Sequence, residues 1–158
     1  MAVPRFQLTP EYSISQVIKG GWHLAGGHGK IAADQALADM YSFVQAGITT
    51  FDCADIYTGV EELIGQFLKQ YQPHMRDGEL PQVQVHTKYV PDYDVLATLT
   101  KQETERTIDR SLQRLGVERL DLVQFHWWDY QFPQYVETAL HLKKLQQAGK
   151  IRHIGITN

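Results

Sequence analysis

Segments with strand character and segments with helix character alternate along the 158-residue chain. Short runs rich in β-branched and aromatic residues are each followed by a longer stretch in which apolar residues recur at helical spacing. The pattern predicts strands at about 16–19, 48–51, 83–87, 120–125 and 151–156, and helices at about 34–46, 58–68, 100–115 and 133–148. Because strands joined through helices by short links lie parallel, the predicted fold class is α/β.

Residues at the ends of these segments refine the expected boundaries. The stretch before position 16 is a polar lead-in with no predicted element. Thr58 and Thr100 each precede a glutamate by three positions, a spacing that predicts a capping box at the start of a helix. Two prolines predict that 71–81 is a connection, and the glycines at 26–29 predict a flexible loop. The last helix should begin near Pro133, and its expected inner face is Val136, Leu140 and Leu145.

Composition and charge narrow the class of protein. With 43% hydrophobic and 21% charged residues, the chain is expected to form one globular domain. A net charge of −3, with the charges scattered, makes nucleic acid an unexpected partner. No apolar stretch approaches the roughly 20 residues of a membrane helix and no signal-peptide core is present, so we expect a cytoplasmic protein without a membrane partner. Cys53 stands alone, and no clustered histidine or cysteine ligands predict a metal.

Two parallel architectures stay open on this pattern. One is a doubly wound open sheet, and the other is part of a (β/α)8 barrel. A complete barrel usually takes about 250 residues and at least about 200. Periodicity and length alone therefore favour the open sheet.

Four ionisable residues directly follow predicted strands. Asp52 and Tyr57 follow the second strand, Lys88 the third and His126 the fourth. Because the carboxyl ends of parallel strands meet on one face, these side chains can gather there although they are distant in sequence. Each of them alone also has an ordinary structural role, as a turn residue, a packed ring, a solvated amine or a core imidazole.

Several motifs, in order along the chain, resemble one enzyme family. Residues 51–57, Phe-Asp-Cys-Ala-Asp-Ile-Tyr, followed by Gly-Val-Glu-Glu-Leu-Ile-Gly at 59–65, are similar to the aldo-keto reductase signature, in which an aspartate and a tyrosine stand five positions apart. The motifs His-Thr-Lys at 86–88 and Gln-Phe-His-Trp at 124–127 resemble the family strands that end in its catalytic lysine and histidine. The segment 149–158 resembles the end of the family's fifth strand.

This resemblance implies a fold and an activity. The implied fold is a partial (β/α)8 TIM barrel with about five parallel strands and four helices, forming a single truncated domain over residues 1–158. The implied activity is NAD(P)H-dependent reduction of an aldehyde or ketone, or the reverse oxidation of an alcohol. The implied cofactor is NADPH, with NADH as the alternative, and the implied partner is a small-molecule carbonyl or alcohol substrate.

The resemblance also implies roles for individual residues. Tyr57 would be the general acid, Asp52 would hold Lys88 beside it, and His126 would orient the carbonyl group. An ammonium group near a phenol favours the phenolate, which explains why a lysine is needed there. The implied cofactor contacts are Gly21, Trp22, Asp52 and Asn158. The family often has threonine where this chain has Gly21, so a hydroxyl contact to the cofactor would be lost.

The resemblance places much of the family's pyrophosphate and adenine site in segments beyond position 158. An incomplete barrel would leave unpaired edge strands and exposed apolar faces, and both favour self-association. Three hypotheses stay open. The chain is a truncated reductase with little activity alone, or a working enzyme in which two chains pair their half barrels, or a catalytically silent binding or regulatory module that keeps the family's residues.

Overall fold

The computed structural model describes residues 3–26 and 32–158. Its strands are β1 Arg5–Thr9, β2 Tyr12–Ser15, β3 Ile18–Gly20, β4 Thr50–Asp52, β5 Gln84–Tyr89, β6 Leu120–His126 and β7 Ile151–Thr157. Its helices are α1 Ala33–Gln45, α2 Val60–Arg76, α3 Lys101–Leu115 and α4 Tyr135–Gln147, with short 3₁₀ turns at Trp22–Ala25 and Tyr93–Val95. Strands β3 to β7 form one parallel sheet, whereas β1 and β2 form a separate antiparallel hairpin. The predicted α/β class, with five parallel strands and four helices, is confirmed.

The order of the strands decides between the two architectures. Each strand of the sheet pairs with the next one in sequence, from β3 to β7. A doubly wound sheet would reverse its order at a switch point. Because right-handed crossovers that all run in one direction put every helix on the same side, the opposite face is left to line a barrel interior. The sheet is therefore a partial barrel, and the preference for an open sheet drawn from periodicity was wrong.

The apolar core lies between the helices and the outer face of the sheet. Strands β4, β5 and β6 contribute Phe51, Val85, Tyr89, Val123 and Phe125, and the helices contribute Val44, Ile64, Phe67, Ile108 and Leu142. Gly65 brings α2 and α3 into close contact, since a Cβ atom there would collide with the carbonyl oxygen of Arg114 and lie 3.0 Å from the carbonyl carbon of Leu115. This packing fixes the helices behind the strand ends.

The beginning of α2 differs from the prediction. The helix begins two residues after Thr58, without a side-chain cap. Glu61 is instead fully buried, and the Thr87 hydroxyl donates a 2.7 Å hydrogen bond to it. The capping box expected at Thr58 was wrong because a buried partner competes for the glutamate. At Thr100 the capping box is confirmed, with the Thr100 side chain accepting from the Glu103 N–H group.

The end of α2 also differs from the prediction. The helix continues through Pro73, so the first half of the connection expected at 71–81 is helical. The ring of Tyr71 lies 4.7 Å from that of Phe67 and 4.9 Å from that of Tyr41, between centroids. These aromatic contacts hold the turn in place although a proline inside a helix removes one backbone hydrogen bond.

The buried face of α4 is not the one expected. Val136 and Leu140 are 55% and 57% exposed, whereas Leu145 is buried as predicted. The residues that face the core are Thr138, Leu142 and Leu145. Because these three residues share one face at helical spacing, Val136 and Leu140, two positions before and after Thr138, fall on the opposite, exposed side of the helix. The prediction was wrong because it counted only apolar residues, and a buried threonine belongs to the inner face.

Two further observations apply to the described part of the chain. Within residues 3–26 and 32–158, no helix combines the length and apolarity needed to cross a membrane. In the same residues, no group of three or more histidine, cysteine, aspartate or glutamate side chains is placed to hold a metal ion. Of the loop expected at 26–29, Gly26 is described with a φ of +88°, and the remaining positions lie outside the described residues.

An N-terminal hairpin, formed by β1 and β2, lies across the N-terminal ends of the sheet strands. The Ser15 hydroxyl accepts the Thr49 N–H group at 3.2 Å, and Arg5 Nη1 donates to Thr49 Oγ1 at 2.8 Å. At the far edge, Arg152 Nη2 donates to the carbonyl oxygen of Glu11 at 2.8 Å. Tyr12 and Ile14 of β2 are buried as well, so the hairpin is held by polar contacts and by a short apolar face. The polar lead-in expected before position 16 was wrong, because this alternation is too short to stand out in the sequence.

A buried histidine links this hairpin to the sheet. The Tyr12 hydroxyl and His86 Nε2 form a 3.0 Å hydrogen bond, and both side chains are buried. Burial lowers the pKa of His86 to about 4, and the nearby charge of Asp52 offsets this only in part. His86 therefore stays neutral in the folded chain under mildly acidic conditions.

The pKa of His86 makes stability depend on pH. In the unfolded chain a histidine has a pKa of about 6.5, so between that value and about 4 the unfolded state binds a proton that the folded state lacks. The stabilisation is present above the unfolded pKa and falls as the pH drops towards the folded pKa, by about 3 kcal/mol in total. Urea unfolding at neutral pH and near pH 4 should therefore show a smaller acid-induced loss for His86→Gln than for the unsubstituted protein. Equal losses in the two proteins would contradict this.

Candidate functional site

Three of the predicted site residues end neighbouring strands on one face of the sheet. Asp52 is the last residue of β4, Lys88 the last but one of β5, and His126 the last of β6. In the parallel register Lys88 pairs with Gln124, two residues before His126. Because side chains alternate between faces along a strand, Lys88, Gln124 and His126 project to the same side. The carboxyl ends of β4, β5 and β6 thus bring Asp52, Lys88 and His126 together at one end of the partial barrel, which we call its mouth.

Lys88 and Asp52 form a partly buried ion pair. Lys88 Nζ lies 2.5 Å from Asp52 Oδ2 and donates a second hydrogen bond, of 3.0 Å, to the carbonyl oxygen of Cys53. The two side chains are only 17% and 27% exposed. A charge-assisted hydrogen bond that is shielded from water is stronger than one on the surface. The ammonium group is therefore held in one place.

Tyr57 lies in the loop after β4 and faces this ammonium group. Lys88 Nζ is 5.2 Å from the centroid of the Tyr57 ring. The indole of Trp22 packs edge-on against the same ring, with centroids 4.9 Å apart. The Tyr57 hydroxyl makes no hydrogen bond to any residue in the described part of the chain. The phenol is thus fixed by its ring, and its hydroxyl is open to a ligand.

Gln124 was not singled out from the sequence, yet it contacts Asp52. Its Nε2 donates to Asp52 Oδ1 at 2.8 Å, while Lys88 occupies Oδ2. The available sequence signal was the position of Gln124, two residues before His126 on the same strand. Residues at that spacing project to one face of a sheet. Gln124 therefore stands between Asp52 and His126.

His126 lies at the same mouth and forms no hydrogen bond with Tyr57 or Lys88 in the described part of the chain. The ring of Trp128 packs edge-on against it, with centroids 4.4 Å apart, and the Trp128 indole N–H group donates to the carbonyl oxygen of Pro91 at 2.8 Å. His126 Nε2 is buried and has no hydrogen-bond partner among the described residues. A buried polar nitrogen without a partner is costly, and a polar atom of a ligand would satisfy it.

The predicted cofactor contacts are spread around this mouth. The Gly21 N–H group donates to the carbonyl oxygen of Asp52 at 2.7 Å, and the half-exposed ring of Trp22 follows it. Asn158 directly follows β7, next to Thr157, which pairs in register with His126. Asn158 is exposed and forms no hydrogen bond with the other predicted site residues in the described part of the chain. The structure thus brings Trp22 to Tyr57 and leaves Asn158 at the rim.

The site of Gly21 has no room for a side chain. A Cβ atom there would lie 2.8 Å from Val60 Cγ1 and 2.9 Å from the carbonyl oxygen of Asp52. Gly21→Thr, which would introduce the residue that the family often has, should therefore lower the free energy of unfolding by about 2 kcal/mol. Gly20→Thr is the matched control, since Gly20 is exposed and a Cβ atom at that position meets no atom within 4 Å. Chemical denaturation that shows equal stability for the two variants would contradict the predicted clash.

The loop that carries Tyr57 is anchored from behind by α3 and β5. Arg114 Nη1 donates to the carbonyl oxygen of Asp55 at 2.9 Å and to Glu61 Oε2 at 3.3 Å. The Val90 N–H group donates to Asp55 Oδ1 at 3.1 Å. Burial raises the pKa of Asp55 to about 7, although the hydrogen bond from Val90 opposes the rise. These contacts set the position of the phenol relative to the strand that holds Lys88.

Comparison with known proteins identifies the family. The model of the aldo/keto reductase family matches residues 16–158, which is most of the chain. The chain belongs to the aldo/keto reductase family. Aldo-keto reductase YhdN of Bacillus subtilis is 31% identical to this family member over 150 residues, which are 91% of the chain and 43% of that protein. L-galactose dehydrogenase of Arabidopsis thaliana is 34% identical over 153 residues, which are 91% of the chain and 44% of that enzyme.

A solved structure of the family supports the fold. Aldo-keto reductase AKR2E4 of Bombyx mori, in complex with NADP, is 22% identical in sequence and superposes with a TM-score of 0.74. The match covers 99% of this aldo/keto reductase chain and 50% of the silkworm protein. The chain spans about half the length of the relatives that it matches. The predicted partial barrel is confirmed at the level of the fold.

Proposed function

We propose that this aldo/keto reductase chain supplies the reacting side chains of a carbonyl reductase. It would reduce an aldehyde or ketone with NADPH, or with NADH as the alternative, and would oxidise the alcohol in the reverse direction. The observation that supports this most strongly is the position of Lys88, whose ammonium group is bonded to Asp52 and lies 5.2 Å from the Tyr57 ring. A fixed ammonium beside a phenol favours transfer of the phenolic proton.

The proposed proton transfer uses the open hydroxyl of Tyr57. When the carbonyl carbon gains a hydride, the electron pair of the double bond moves to oxygen, and the Tyr57 hydroxyl gives that oxygen its proton. Lys88 stabilises the phenolate that remains. Asp52 keeps Lys88 in place. Together these three residues would place both the proton and the compensating charge where the reaction needs them.

His126 is proposed to orient the carbonyl group. Its Nε2 is buried, lacks a partner in the described residues, and lies on the strand next to that of Lys88. A hydrogen bond from this nitrogen to the carbonyl oxygen would satisfy the imidazole and direct the oxygen towards Tyr57. The half-exposed ring of Trp128 packs against His126, so it would bound the substrate on that side.

The residues at the mouth fit the nicotinamide end of the cofactor. The reduced nicotinamide would supply the hydride when bound. The exposed ring of Trp22, the backbone at Gly21, the Asp52 end of β4 and the exposed amide of Asn158 would hold it, and the unpartnered His126 Nε2 fits a polar ligand at the same place. The pyrophosphate and adenine contacts are not assigned to described residues of this chain.

Binding and turnover of NADPH test this proposal. Titrating NADPH into the purified protein should quench the fluorescence of its three tryptophans saturably, and Trp22→Phe should remove much of the quenching. Adding 4-nitrobenzaldehyde or methylglyoxal should then consume the reduced nicotinamide. If the protein shows neither quenching nor turnover, the proposal is contradicted and a catalytically silent module is favoured. Size-exclusion chromatography of the same sample separates a single chain from a pair of chains that complete each other's barrels.

A further inference from the structure

Both oxygens of Asp52 are occupied by side chains from different strands. Lys88 Nζ, on β5, is bonded to Oδ2, and Gln124 Nε2, on β6, donates to Oδ1. A carboxylate held at one oxygen alone can still rotate about its last bond. Held at both oxygens, it has one orientation. The amide of Gln124 therefore decides where the carboxylate points, and so where it holds Lys88.

The chemistry of the contact assigns the direction of this hydrogen bond. An ionised carboxylate only accepts hydrogen bonds, and an amide carries both a donor and an acceptor end. Because Asp52 is paired with the Lys88 ammonium group, the NH2 end of Gln124 is the end that can face it. On the neighbouring strand, Gly155 pairs with Gln124, and a Cβ atom at Gly155 would lie 3.8 Å from Gln124 Cγ. The Gln124 side chain thus has room beside β7 to reach Asp52.

We propose that Gln124 is a positioning residue for the reduction. By donating to Asp52 it fixes the carboxylate, which in turn fixes the Lys88 ammonium group against the Tyr57 ring. No hydrogen bond joins Gln124 to Tyr57 in the described part of the chain, so the effect of Gln124 reaches the reaction through Asp52 and Lys88. The inference rests on the proposed function, because the proton transfer that it tunes is the one from Tyr57.

Two substitutions separate this role from simple packing. Gln124→Met keeps the length of the side chain and removes the donor, and it should lower kcat about tenfold. Gln124→Glu is closer in shape but turns a carboxylate towards Asp52, and it should lower kcat further, about a hundredfold at neutral pH. If Gln124 only filled space, the order would reverse, because glutamate is the better copy of its shape. The KM for the carbonyl substrate should change little in both variants.

The pH profile adds a second readout. When the introduced carboxyl group of Gln124→Glu is protonated it can donate to Asp52, so the ratio of its kcat to that of the unsubstituted protein should rise as the pH falls. Taking the ratio removes the titration that both proteins share. Among the described residues, the titratable groups on this face are Asp52 on β4, His86 and Lys88 on β5, His126 on β6 and His153 on β7. Tyr12 of the hairpin packs on His86 and His153, and Tyr57 packs on Lys88.

Controls distinguish a failure of the positioning role of Gln124 from a failure of the proposed function. Gln70→Glu makes the same change of charge on the exposed side of α2 and should leave kcat unchanged. Thermal unfolding of each variant shows whether the fold survives. If the unsubstituted protein reduces the aldehyde and Gln124→Met is as active, or Gln124→Glu is the more active of the two variants, Gln124 has no positioning role. If the unsubstituted protein itself consumes no NADPH, the proposed function fails, and this inference fails with it.

Discussion

Tyr57→Phe should lower kcat for carbonyl reduction by roughly a thousandfold, because general acid catalysis contributes on this scale. The substitution removes only the hydroxyl group, which forms no hydrogen bond with the described residues. The contacts of the ring with Trp22 and Lys88 remain. We therefore expect the affinity for NADPH and the thermal stability to stay close to those of the unsubstituted protein, while the proton transfer is lost.

A second tyrosine supplies the control for this experiment. Tyr130 is a half-exposed tyrosine whose ring packs on Tyr135 near the start of α4. Tyr130→Phe should retain full activity, since the proposed mechanism gives it no part. Initial rates of NADPH oxidation with saturating aldehyde measure both variants. A Tyr57→Phe protein with more than about a tenth of the unsubstituted rate would remove Tyr57 from the role of general acid.

Gly65→Ala should destabilise the protein by about 3 kcal/mol, near the upper end of what one added methyl group costs in a packed core. The added Cβ atom would collide with the carbonyl oxygen of Arg114 and lie 3.0 Å from the carbonyl carbon of Leu115. Both are backbone atoms of α3, so no side-chain rotation can relieve the clash. Helices α2 and α3 would have to move apart, and the Arg114 contacts that hold the Tyr57 loop would move with them.

The expected loss of stability can be measured by urea unfolding, with Gly20→Ala as a matched glycine substitution. At Gly20 a Cβ atom meets no atom within 4 Å, so that variant should stay within about 1 kcal/mol of the unsubstituted protein. The difference between the two variants isolates the helix contact from the general effect of replacing glycine. Equal stability of both variants would show that α2 and α3 are not packed as closely as described.

The order of elements was predictable because each depends on local sequence. The spacing of apolar residues along the chain predicted the five strands and four helices. The capping box at Thr100 predicted the start of α3. Asp52, Lys88 and His126 could be predicted to lie near each other because the carboxyl ends of parallel strands lie on one side of the sheet. Periodicity could not choose the barrel, because the strand order depends on pairing between residues distant in sequence.

Features that depend on polar tertiary contacts were not predictable. Glu61 has the spacing of a helix cap, yet it is buried against Thr87 and Arg114, which come from two other elements. The spacing of Gln124 from His126 placed both on one face, but its contact with Asp52, 72 positions earlier in the chain, could not be predicted. At Glu61, hydrogen bonds with distant partners outweighed the local preference for a helix cap.

The most direct test of the proposed site is to follow the hydride. The purified protein is incubated with NADPH that carries deuterium at the transferable position of the nicotinamide, together with 4-nitrobenzaldehyde, and the alcohol is analysed by mass spectrometry and NMR. We expect one deuterium on the former carbonyl carbon, with little labelled alcohol formed by Tyr57→Phe. If the unsubstituted protein forms no alcohol, or forms alcohol without deuterium at that carbon, then Asp52, Tyr57, Lys88 and His126 do not form a carbonyl-reducing site.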